Sequence, residues 1–378
     1  MYIPRIISSQ IKESLAGEQK VLIIYGPRQA GKTTLLKNLL NHDIEEPYLF
    51  FTGDDLYTQE IFGKNDLAAL KRAVGDKKLL ILDEAQRIDN IGLTLKLLID
   101  NFTIKLVVSG SASFDLAGKI NEPLTGRTKT FYLYPFAYQE QQETYQQTLP
   151  KSALEEMLRF GMYPKAATLK SEQEKQDYLY EYLSNYLYKD ILTFRSIKKP
   201  KKVLDLLALL ALQIGKEVTV AELAQNLAMS QKTVSDYLDI LEKMFVIFNL
   251  RGFSRNLRKE IYKSSKYYFF DVGLRNAVIR NFNRLELRQD AGELFENWFI
   301  MEKIKLSSNN LKPANFYFWR TYDQKEIDLI EERAGKLMAY ECKWQMKKEI
   351  HAPKEWLSTY KNGAFEMVSN ENYEKFLG

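Results

Sequence analysis

The amino-acid sequence predicts an α/β fold, a parallel β-sheet covered by helices, followed by further domains of mixed structure. Short apolar runs alternate with amphipathic stretches over the first third of the chain, which is typical of a parallel sheet with helices on both faces. The chain has 378 residues, and two or three domains are expected at ~150 residues each. Hydrophobic residues make up 45% and charged residues 27%, as in a soluble globular protein.

Each element of the first part follows from its own pattern. Buried strands are predicted where short apolar runs occur, at Val21–Tyr25, Tyr48–Phe51, Leu79–Leu82 and Leu106–Val108. Helices are predicted where apolar residues recur at helical spacing, at Lys32–Leu40, Leu67–Val74 and Leu93–Phe102.

Charge and cysteine content exclude some classes of protein. The 54 basic residues nearly balance the 49 acidic ones, giving a net charge of +5, which permits a nucleic-acid partner without arguing for one. The single cysteine, Cys342, excludes an intramolecular disulfide. The N-terminus has no signal-peptide pattern, and the longest apolar stretch, Val203–Ile214, is too short to span a bilayer. We therefore expect a cytoplasmic protein with no membrane partner.

A glycine-rich loop follows the first predicted strand and opens the first predicted helix of this pattern. The match to G-x-x-x-x-G-K-[ST] is complete, with Gly26, Pro27, Arg28, Gln29, Ala30, Gly31, Lys32 and Thr33. Glycines let backbone N–H groups wrap around phosphate oxygens, and the helix N-terminus adds its dipole. We expect this loop, with the adjoining Thr34, to bind ATP. Lys32 would reach the β- and γ-phosphates, and the Thr33 hydroxyl would coordinate Mg²⁺.

Polar residues follow the third and the fourth predicted strands. Asp83 and Glu84 end the third predicted strand, and a buried parallel strand delivers its C-terminal residues to the ligand crevice. We expect Asp83 to hold the Mg²⁺ shell and Glu84 to orient and polarise the attacking water. After the fourth strand, a serine can touch the γ-phosphate or this water, and the sequence does not choose between Ser109 and Ser111.

An arginine lies just beyond, in Leu124-Thr125-Gly126-Arg127-Thr128. From this position Arg127 can reach the γ-phosphate bound by a neighbouring subunit, and such an arginine finger contributes roughly 10³–10⁵ in rate. The alternative is an ordinary surface arginine, in which case Arg28, inside the loop, is the arginine able to touch phosphate.

The second part of the chain begins with a helical pattern, rich in Tyr and Leu, from Phe136 to about Ile197. The basic segment Lys198–Lys202 then predicts a linker or turn. The elements expected after it are a helix, two short helices separated by a three-residue turn, and a strand, at Val203–Ile214, Val220–Leu227, Gln231–Met244 and Phe245–Leu250.

The two short helices and the strand predict a winged helix-turn-helix, in which Ser230 caps the second helix. Such a module places the second helix in a DNA major groove and its wing on backbone phosphates. Residues expected to face DNA are Gln231, Lys232, Thr233, Ser235 and Asp236. A basic stretch follows, with Arg251, Arg255, Arg258, Lys259, Lys263 and Lys266, interleaved with Phe253 and Tyr262. The alternative is a module that only packs between domains.

The last hundred residues carry a group of acids on predicted elements. Strands are expected at Phe316–Arg320, Glu326–Ile330 and Met338–Lys343, and a helix at Gly292–Leu306. Residues two apart on a strand share a face, so Glu341 and Lys343 project together, and Asp328 and Glu296 can join them. Three carboxylates and a lysine can hold one or two Mg²⁺ ions and activate water for phosphodiester cleavage.

The loop, the run Leu80–Gln86, Ser109–Ser111 and Gly126-Arg127 resemble the AAA+-type ATPases of bacteria and archaea that carry a C-terminal domain of formerly unknown function. The resemblance implies Asp83 and Glu84 as the metal-binding and catalytic acids, Arg127 as the finger, and a ring of subunits, such as a hexamer. Phe160-Gly161-Met162-Tyr163-Pro164 is similar to that family's lid, although a glycine pair is more usual before the aromatic residue. Arg159 is a weak candidate for the lid's second sensor.

The C-terminal acids resemble the PD-(D/E)xK nuclease superfamily. This resemblance implies Asp328 and Glu341 as metal ligands, Lys343 as the residue that steadies the nucleophile, and Glu296 as a supporting acid. The expected domains are an ATPase core at 1–134, a helical lid at 135–200, a winged helix-turn-helix at 201–266 and a nuclease-like domain at 267–378.

Two functions fit these expectations. The first is an oligomeric ATPase that acts on DNA, with metal-dependent cleavage as a further activity. The second is a nucleotide-switched adaptor whose C-terminal domain binds a partner and cuts nothing. Convergence of Glu296, Asp328, Glu341 and Lys343 is the feature that distinguishes them.

Overall fold

The computed structural model describes residues 2–17, 20–111, 124–145, 150–187, 191, 197, 199–253, 265–321, 325–346 and 351–378. The chain forms two compact units. The first contains Tyr2–Pro135 with Lys243–Phe245, and the second contains Phe136–Glu242 with Val246–Gly378.

The described strands of the first unit form one parallel sheet in the order β2-β3-β4-β1-β5. They are β1 (Val21–Tyr25), β2 (Tyr48–Thr52), β3 (Leu79–Asp83), β4 (Lys105–Gly110) and β5 (Thr128–Tyr132). Every residue of β1 and β3 is buried, which explains their continuous apolar sequence. The predicted α/β core is therefore confirmed, and β5, whose sequence alternates lysine, threonine and aromatic residues, was not predicted.

Helices cover this sheet, and their ends follow local capping chemistry. They span Ile7–Ala16, Lys32–His42, Leu56–Gly63, Leu67–Val74 and Ile91–Asn101, with a short 3₁₀ turn at Ala85–Arg87. Asp55 and Asp66 cap two of these helices by accepting hydrogen bonds from backbone N–H groups of their first turns. The core of the unit contains Leu22 and Ile24 of β1 against Leu35 and Leu39 of the helix that follows the loop.

The described strands of the second unit form a mixed sheet in the order β12-β11-β10-β9-β7-β8-β6. They are β6 (Glu217–Val218), β7 (Ile247–Gly252), β8 (Ser265–Phe269), β9 (Asn315–Arg320), β10 (Glu326–Arg333), β11 (Lys336–Lys343) and β12 (Gly363–Ser369). β7 pairs in parallel with β9. This pairing joins β6, β7 and β8, which lie near the two short helices in the sequence, to the C-terminal strands β9 to β12. Strands that the sequence assigned to two domains thus share one sheet.

Helices of the second unit lie mostly where the sequence predicts them. They span Tyr138–Tyr145, Pro150–Phe160, Pro164–Thr168, Glu172–Glu181, Pro200–Leu212, Val220–Leu227, Gln231–Lys243, Val272–Val278, Ala291–Asn309, Lys354–Thr359 and Glu374–Leu377. A π-helical turn covers Tyr182–Leu187 and a 3₁₀ turn Leu285–Leu287. In the described part of the chain, no helix has the length and apolarity needed to cross a membrane.

The linker predicted at Lys198–Lys202 is wrong for its last three residues. Pro200, Lys201 and Lys202 form the first turn of the helix Pro200–Leu212. Proline is well suited to that position, because its fixed φ matches the helix and its missing N–H has no partner there.

Candidate nucleotide site and a buried carboxylate cluster

The glycine-rich loop runs from the carboxyl end of β1 into the helix Lys32–His42. Gly31 has a φ of 96°, a left-handed conformation that glycine adopts at little cost. A Cβ on Gly26 would lie 2.0 Å from the carbonyl oxygen of Leu133, so only glycine fits there. Both glycines therefore hold the backbone in a tight turn at a helix N-terminus, as phosphate binding requires.

The lysine of the loop is fixed beneath it. Lys32 is buried, and its ammonium donates to the carbonyl oxygens of Gly26 and Pro27 at 2.9 and 3.0 Å. Of the other predicted binding residues, Ala30 is buried, Arg28 and Gln29 are half-buried, and Thr34 is exposed. Lys32 thus places its positive charge where it can stabilise phosphates that the loop would bind.

Asp83 connects the loop to two neighbouring strands. The Thr33 hydroxyl donates to one carboxylate oxygen of Asp83 at 2.6 Å, and the hydroxyl of the buried Ser109, on β4, donates to the other. A hydroxyl and a carboxylate side by side form the oxygen-donor set that Mg²⁺ prefers. Thr33 and Asp83 therefore fit the predicted ion, which would supply positive charge next to bound phosphates.

Glu84 follows β3 in a conformation that is uncommon for a residue with a side chain. Its φ is 50° and its ψ is 39°, and left-handed non-glycine residues cluster at functional sites. Gln86 donates through Nε2 to Glu84 Oε2 at 2.6 Å and to Ser111 Oγ at 3.0 Å. The two serines therefore differ. Ser109 donates to Asp83 and accepts from the Glu84 backbone N–H at 3.4 Å, whereas Ser111 is linked to the Glu84 carboxylate through Gln86.

Two residues of this site escaped the sequence analysis. Arg5 is buried, and its guanidinium donates to the carbonyl oxygens of Ala30 at 2.8 Å and Tyr134 at 2.6 Å. A Cβ on Gly53 would lie 2.3 Å from the carbonyl oxygen of Glu84. Neither residue belongs to a local motif, because each meets the loop or β3 through the tertiary fold.

Arg127 lies at the opposite edge of the sheet from the glycine-rich loop. It immediately precedes β5, whose first residue pairs with Val21 at the start of β1, whereas the loop follows the end of β1. Five strand residues at ~3.3 Å each separate the two edges by roughly 15 Å. Arg127 is half exposed and forms an ion pair with Asp100, so it is accessible but lies far from the loop of its own chain.

Arg159, the weak candidate for a second sensor, is buried in the second unit. It donates to both carboxylate oxygens of Glu172 at 2.8 and 2.6 Å and to the carbonyl of Phe282 at 3.0 Å. These contacts give the arginine a structural role within its unit. The adjoining Gly161 is required by packing, because a Cβ there would lie 2.0 Å from the Asp271 carboxylate.

The two short helices have the expected exposure pattern. Ser230 accepts a hydrogen bond of 3.1 Å from the backbone N–H of Thr233, as predicted for a cap. Residues expected to face DNA are exposed at Gln231, Lys232, Ser235 and Asp236 and partly exposed at Thr233. The winged helix itself stays a prediction, because Arg255, Arg258, Lys259, Tyr262 and Lys263 lie outside the described residues.

Two predicted members of the basic stretch do not face solvent. Lys266 is 1% exposed and Phe253 is 8% exposed, so their assignment to a DNA-contacting surface is wrong. Phe253 packs against Trp356 and Tyr360 in an apolar cluster of the second unit. Arg251, on β7, is exposed and can still belong to the predicted DNA-contacting surface.

Lys266 lies instead among the predicted nuclease acids. Its ammonium is 3.6 Å from Glu296 and 4.0 Å from Asp328, and it forms a closer pair with Glu326. Glu296 also accepts a hydrogen bond from the Tyr268 hydroxyl. We call Lys266, Glu296, Glu326 and Asp328 the carboxylate cluster. Neither Lys266 nor Glu326 was predicted to belong to it, since neither follows the spacing of the motif.

The two remaining predicted residues lie at the border of this cluster. Lys343 donates to Glu341 at 2.6 Å, and Asp328 accepts a 2.8 Å hydrogen bond from the Cys342 backbone N–H. Burial, and then the nearby Asp328, raise the pKa of Glu341 to about 7 and that of Glu296 to about 8. The four predicted residues are therefore electrostatic neighbours. Among the described residues, however, no group of three or more His, Cys, Asp or Glu is arranged to hold a metal ion.

The parallel sheet, the glycine-rich loop after β1 and the acids that end β3 define a P-loop ATPase core. A family model described as an AAA domain matches residues 18–142, in agreement with this class. Two models, each described as a domain of unknown function (DUF8612 and DUF4143), match residues 151–285 and 291–375.

Similar proteins have been found in bacteria and archaea. An uncharacterised protein of Mycobacterium tuberculosis is 28% identical over 328 residues, covering 85% of this chain and 70% of the relative. An uncharacterised protein of Methanocaldococcus jannaschii is 25% identical over 316 residues, covering 79% and 69%. Among solved structures, the Walker-type ATPase of Pyrococcus abyssi has a TM-score of 0.54 at 14% identity, covering 74% of this chain and 96% of that one. This last likeness concerns the fold alone.

Proposed function

We propose that the chain hydrolyses ATP in its first unit and couples turnover to action on DNA through its second. The observation that carries the ATPase is the hydrogen bond of 2.6 Å between Thr33 and Asp83. It brings together a hydroxyl and a carboxylate suited to Mg²⁺, at the N-terminus of the loop helix. Glu84, at the end of the same strand, is the residue we assign to orientation of the attacking water.

Hydrolysis is proposed to require a second copy of the chain. Arg127 lies roughly 15 Å from the loop of its own chain along the strand direction, so a role as arginine finger needs a neighbouring subunit. Its exposure and its position beside β5 support this assignment. We therefore propose a homo-oligomer, and a hexameric ring is the arrangement expected from the resemblance to AAA+ proteins.

DNA is the proposed partner of the two short helices of the second unit. The capped helix Gln231–Lys243 presents exposed polar side chains, and Arg251 lies on the strand that follows. Side chains of this kind can reach base edges and phosphates. Duplex affinity is expected to fall as salt rises, because each neutralised phosphate releases counterions. An affinity that does not change with salt would contradict this mode of binding.

The site is tested by Lys32→Ala with Lys37→Ala as the matched control. Lys37 lies on the same helix outside the motif. Phosphate release from ATP is expected to disappear in Lys32→Ala and to persist in Lys37→Ala. Continued turnover in Lys32→Ala would show that the assigned site is wrong.

A second function is favoured by the position of Lys266 inside the carboxylate cluster. A protein whose carboxylate cluster already holds a lysine ammonium suits a nucleotide-switched adaptor better than a nuclease. Nicking of branched, single- and double-stranded DNA with Mg²⁺ or Mn²⁺ distinguishes the two. Nicking that is lost in Asp328→Ala, with ATPase activity retained, would favour the nuclease.

A further inference from the structure

Lys266 has the surroundings of a bound cation. Its side chain is 2% exposed, and carboxylates of a helix and a second strand converge on its ammonium. Glu296 belongs to the helix Ala291–Asn309, while Glu326 and Asp328 lie on β10. Burying an ammonium is costly unless charged partners surround it. Glu326, which forms the closest pair, and Asp328 supply that charge, and Glu296 adds a nearby carboxyl group.

The same acids cannot hold a divalent ion in this arrangement. A metal ion within ligand distance of Glu296 and Asp328 would lie only a few ångströms from the Lys266 ammonium, and like charges repel strongly in a buried site. Glu296 and Asp328 each also accept one hydrogen bond from another donor. Tyr268 donates to Glu296, and the backbone N–H of Cys342 donates to Asp328. The residues present therefore do not fit the predicted Mg²⁺.

We propose that Lys266 is the resident cation of the carboxylate cluster, so that the native cluster is a metal-free ionic link between β8, β10 and the helix Ala291–Asn309. An adjacent contact strengthens the link, because the Asn297 side chain exchanges two hydrogen bonds of 2.9 and 2.8 Å with the backbone of Phe269. The link holds β8 against two C-terminal elements, β10 and the helix Ala291–Asn309. It performs no cleavage, because no water-activating metal enters it.

The inference predicts a gain of metal binding when the lysine charge is removed. Lys266→Met keeps a long unbranched side chain but leaves the carboxylates without their cation. A divalent ion can then replace the ammonium. Lys303→Met is the matched control, because Lys303 is also buried and, among the described residues, pairs with one acid, Glu331, at 3.0 Å.

The first experiment follows thermal unfolding of the full chain by tryptophan fluorescence, without nucleotide and with or without Mn²⁺. All four tryptophans, Trp298, Trp319, Trp344 and Trp356, belong to the second unit. We expect Lys266→Met to melt roughly 5–10 °C lower than the native chain and Mn²⁺ to restore most of this loss. Lys303→Met should melt lower without recovery. Failure of Mn²⁺ to stabilise Lys266→Met beyond the control would overturn the inference.

A second experiment does not depend on the folding of Lys266→Met. Tb³⁺ luminescence, excited through protein aromatic groups, is compared between the native chain and Asp328→Asn, since Tyr268 contacts the cluster directly. Equal emission from the two proteins is expected, because the native cluster takes no added ion. Emission from the native chain that Asp328→Asn removes would establish a metal site there and refute the role of Lys266. Neither result bears on the ATPase, which is read separately through Lys32→Ala.

Discussion

The hydroxyl of Thr33 and the carboxylate of Asp83 lie 2.6 Å apart although 50 positions separate them in the chain. The strand order β3-β4-β1 explains this proximity. Parallel strands present their carboxyl ends at one edge of a sheet, so the loop after β1, the acid of β3 and Ser109 of β4 meet there.

The Thr33–Asp83 contact predicts that Thr33→Ala weakens Mg²⁺-dependent nucleotide binding. Loss of a hydroxyl paired with a charged group should reduce affinity roughly 10- to 100-fold. The measurement is titration of a fluorescent ATP analogue with Mg²⁺ or with EDTA. Thr103→Ala is the control, since Thr103 is an exposed threonine of the same unit outside the predicted site. Equal losses in the two variants would contradict a specific role for Thr33.

Gln86 is predicted to position Glu84 for catalysis. Its amide holds the Glu84 carboxylate at 2.6 Å, so Gln86→Leu should lower kcat about 10-fold, in the range of positioning effects. Nucleotide affinity should stay constant, because Gln86 has no assigned phosphate contact. Ser111→Ala should have a smaller effect, since it leaves the Gln86–Glu84 bond intact. Steady-state phosphate release resolves kcat from KM, and an unchanged kcat in Gln86→Leu would remove this residue from the catalytic arrangement.

Arg127→Ala is predicted to abolish hydrolysis while nucleotide binding persists. Because Arg127 is remote from its own loop, a mixture of Arg127→Ala with Lys32→Ala should regain activity. In mixed oligomers, an intact loop of one variant meets an intact arginine of the other. Phosphate release is measured across mixing ratios after subunit exchange, and each variant alone provides the baseline. Full activity of Arg127→Ala alone would exclude a finger role.

In the first unit, local sequence patterns predict strands and the glycine-rich loop, but not the contacts of Arg5. The strands Val21–Tyr25 and Leu79–Asp83 and the loop between β1 and its helix were predictable, because continuous apolar runs and a complete motif are local signals. Arg5 was not predictable, since its partners Ala30 and Tyr134 lie 25 and 129 positions away. Nothing in the neighbouring sequence marks it.

In the second unit, the sequence pattern misassigned a residue whose surroundings depend on the tertiary fold. Lys266 looked like one more basic residue of a wing. In the mixed sheet β7 and β9 lie between β8 and β10, and only the tertiary fold brings its ammonium to Glu326 on β10 and Glu296 on the helix Ala291–Asn309. The sequence predicted that Asp328 and Glu341 lie on neighbouring strands, which the antiparallel pairing of β10 with β11 confirms. It could not reveal that a lysine from a third strand pairs with these acids.

Arg5 is predicted to hold the glycine-rich loop in its binding conformation. Arg5→Met leaves the buried carbonyl of Ala30 without the guanidinium that bonds it at 2.8 Å, and an unsatisfied buried group costs about 1–3 kcal/mol. Nucleotide affinity should therefore fall about 10-fold or more. The exposed Arg72→Met serves as control. Isothermal titration calorimetry with an ATP analogue measures the nucleotide affinity of both variants. Equal affinities would show that the conformation of the loop does not depend on Arg5.

The stability of the second unit is predicted to depend on pH through Asp290. Arg288 donates to its carboxylate at 2.8 Å and Arg275 pairs with it closely. Although burial opposes the shift, these arginines lower the pKa of Asp290 from 3.8 to about 2. A lowered pKa means that the stabilisation is complete above pH 3.8 and is lost as the pH falls through about 2.

Asp290→Asn should therefore reduce the free energy of unfolding at pH 7 by about 2 kcal/mol, the equivalent of that pKa shift. The difference from the native chain should shrink as the pH is lowered, because the native carboxyl then becomes protonated as well. Urea unfolding followed by tryptophan fluorescence isolates this unit, which contains all four tryptophans. Glu286→Gln, at an exposed acid nearby, is the control. A difference for Asp290→Asn that stays constant between pH 7 and pH 3 would show that the ion pairs contribute no pH-dependent stability.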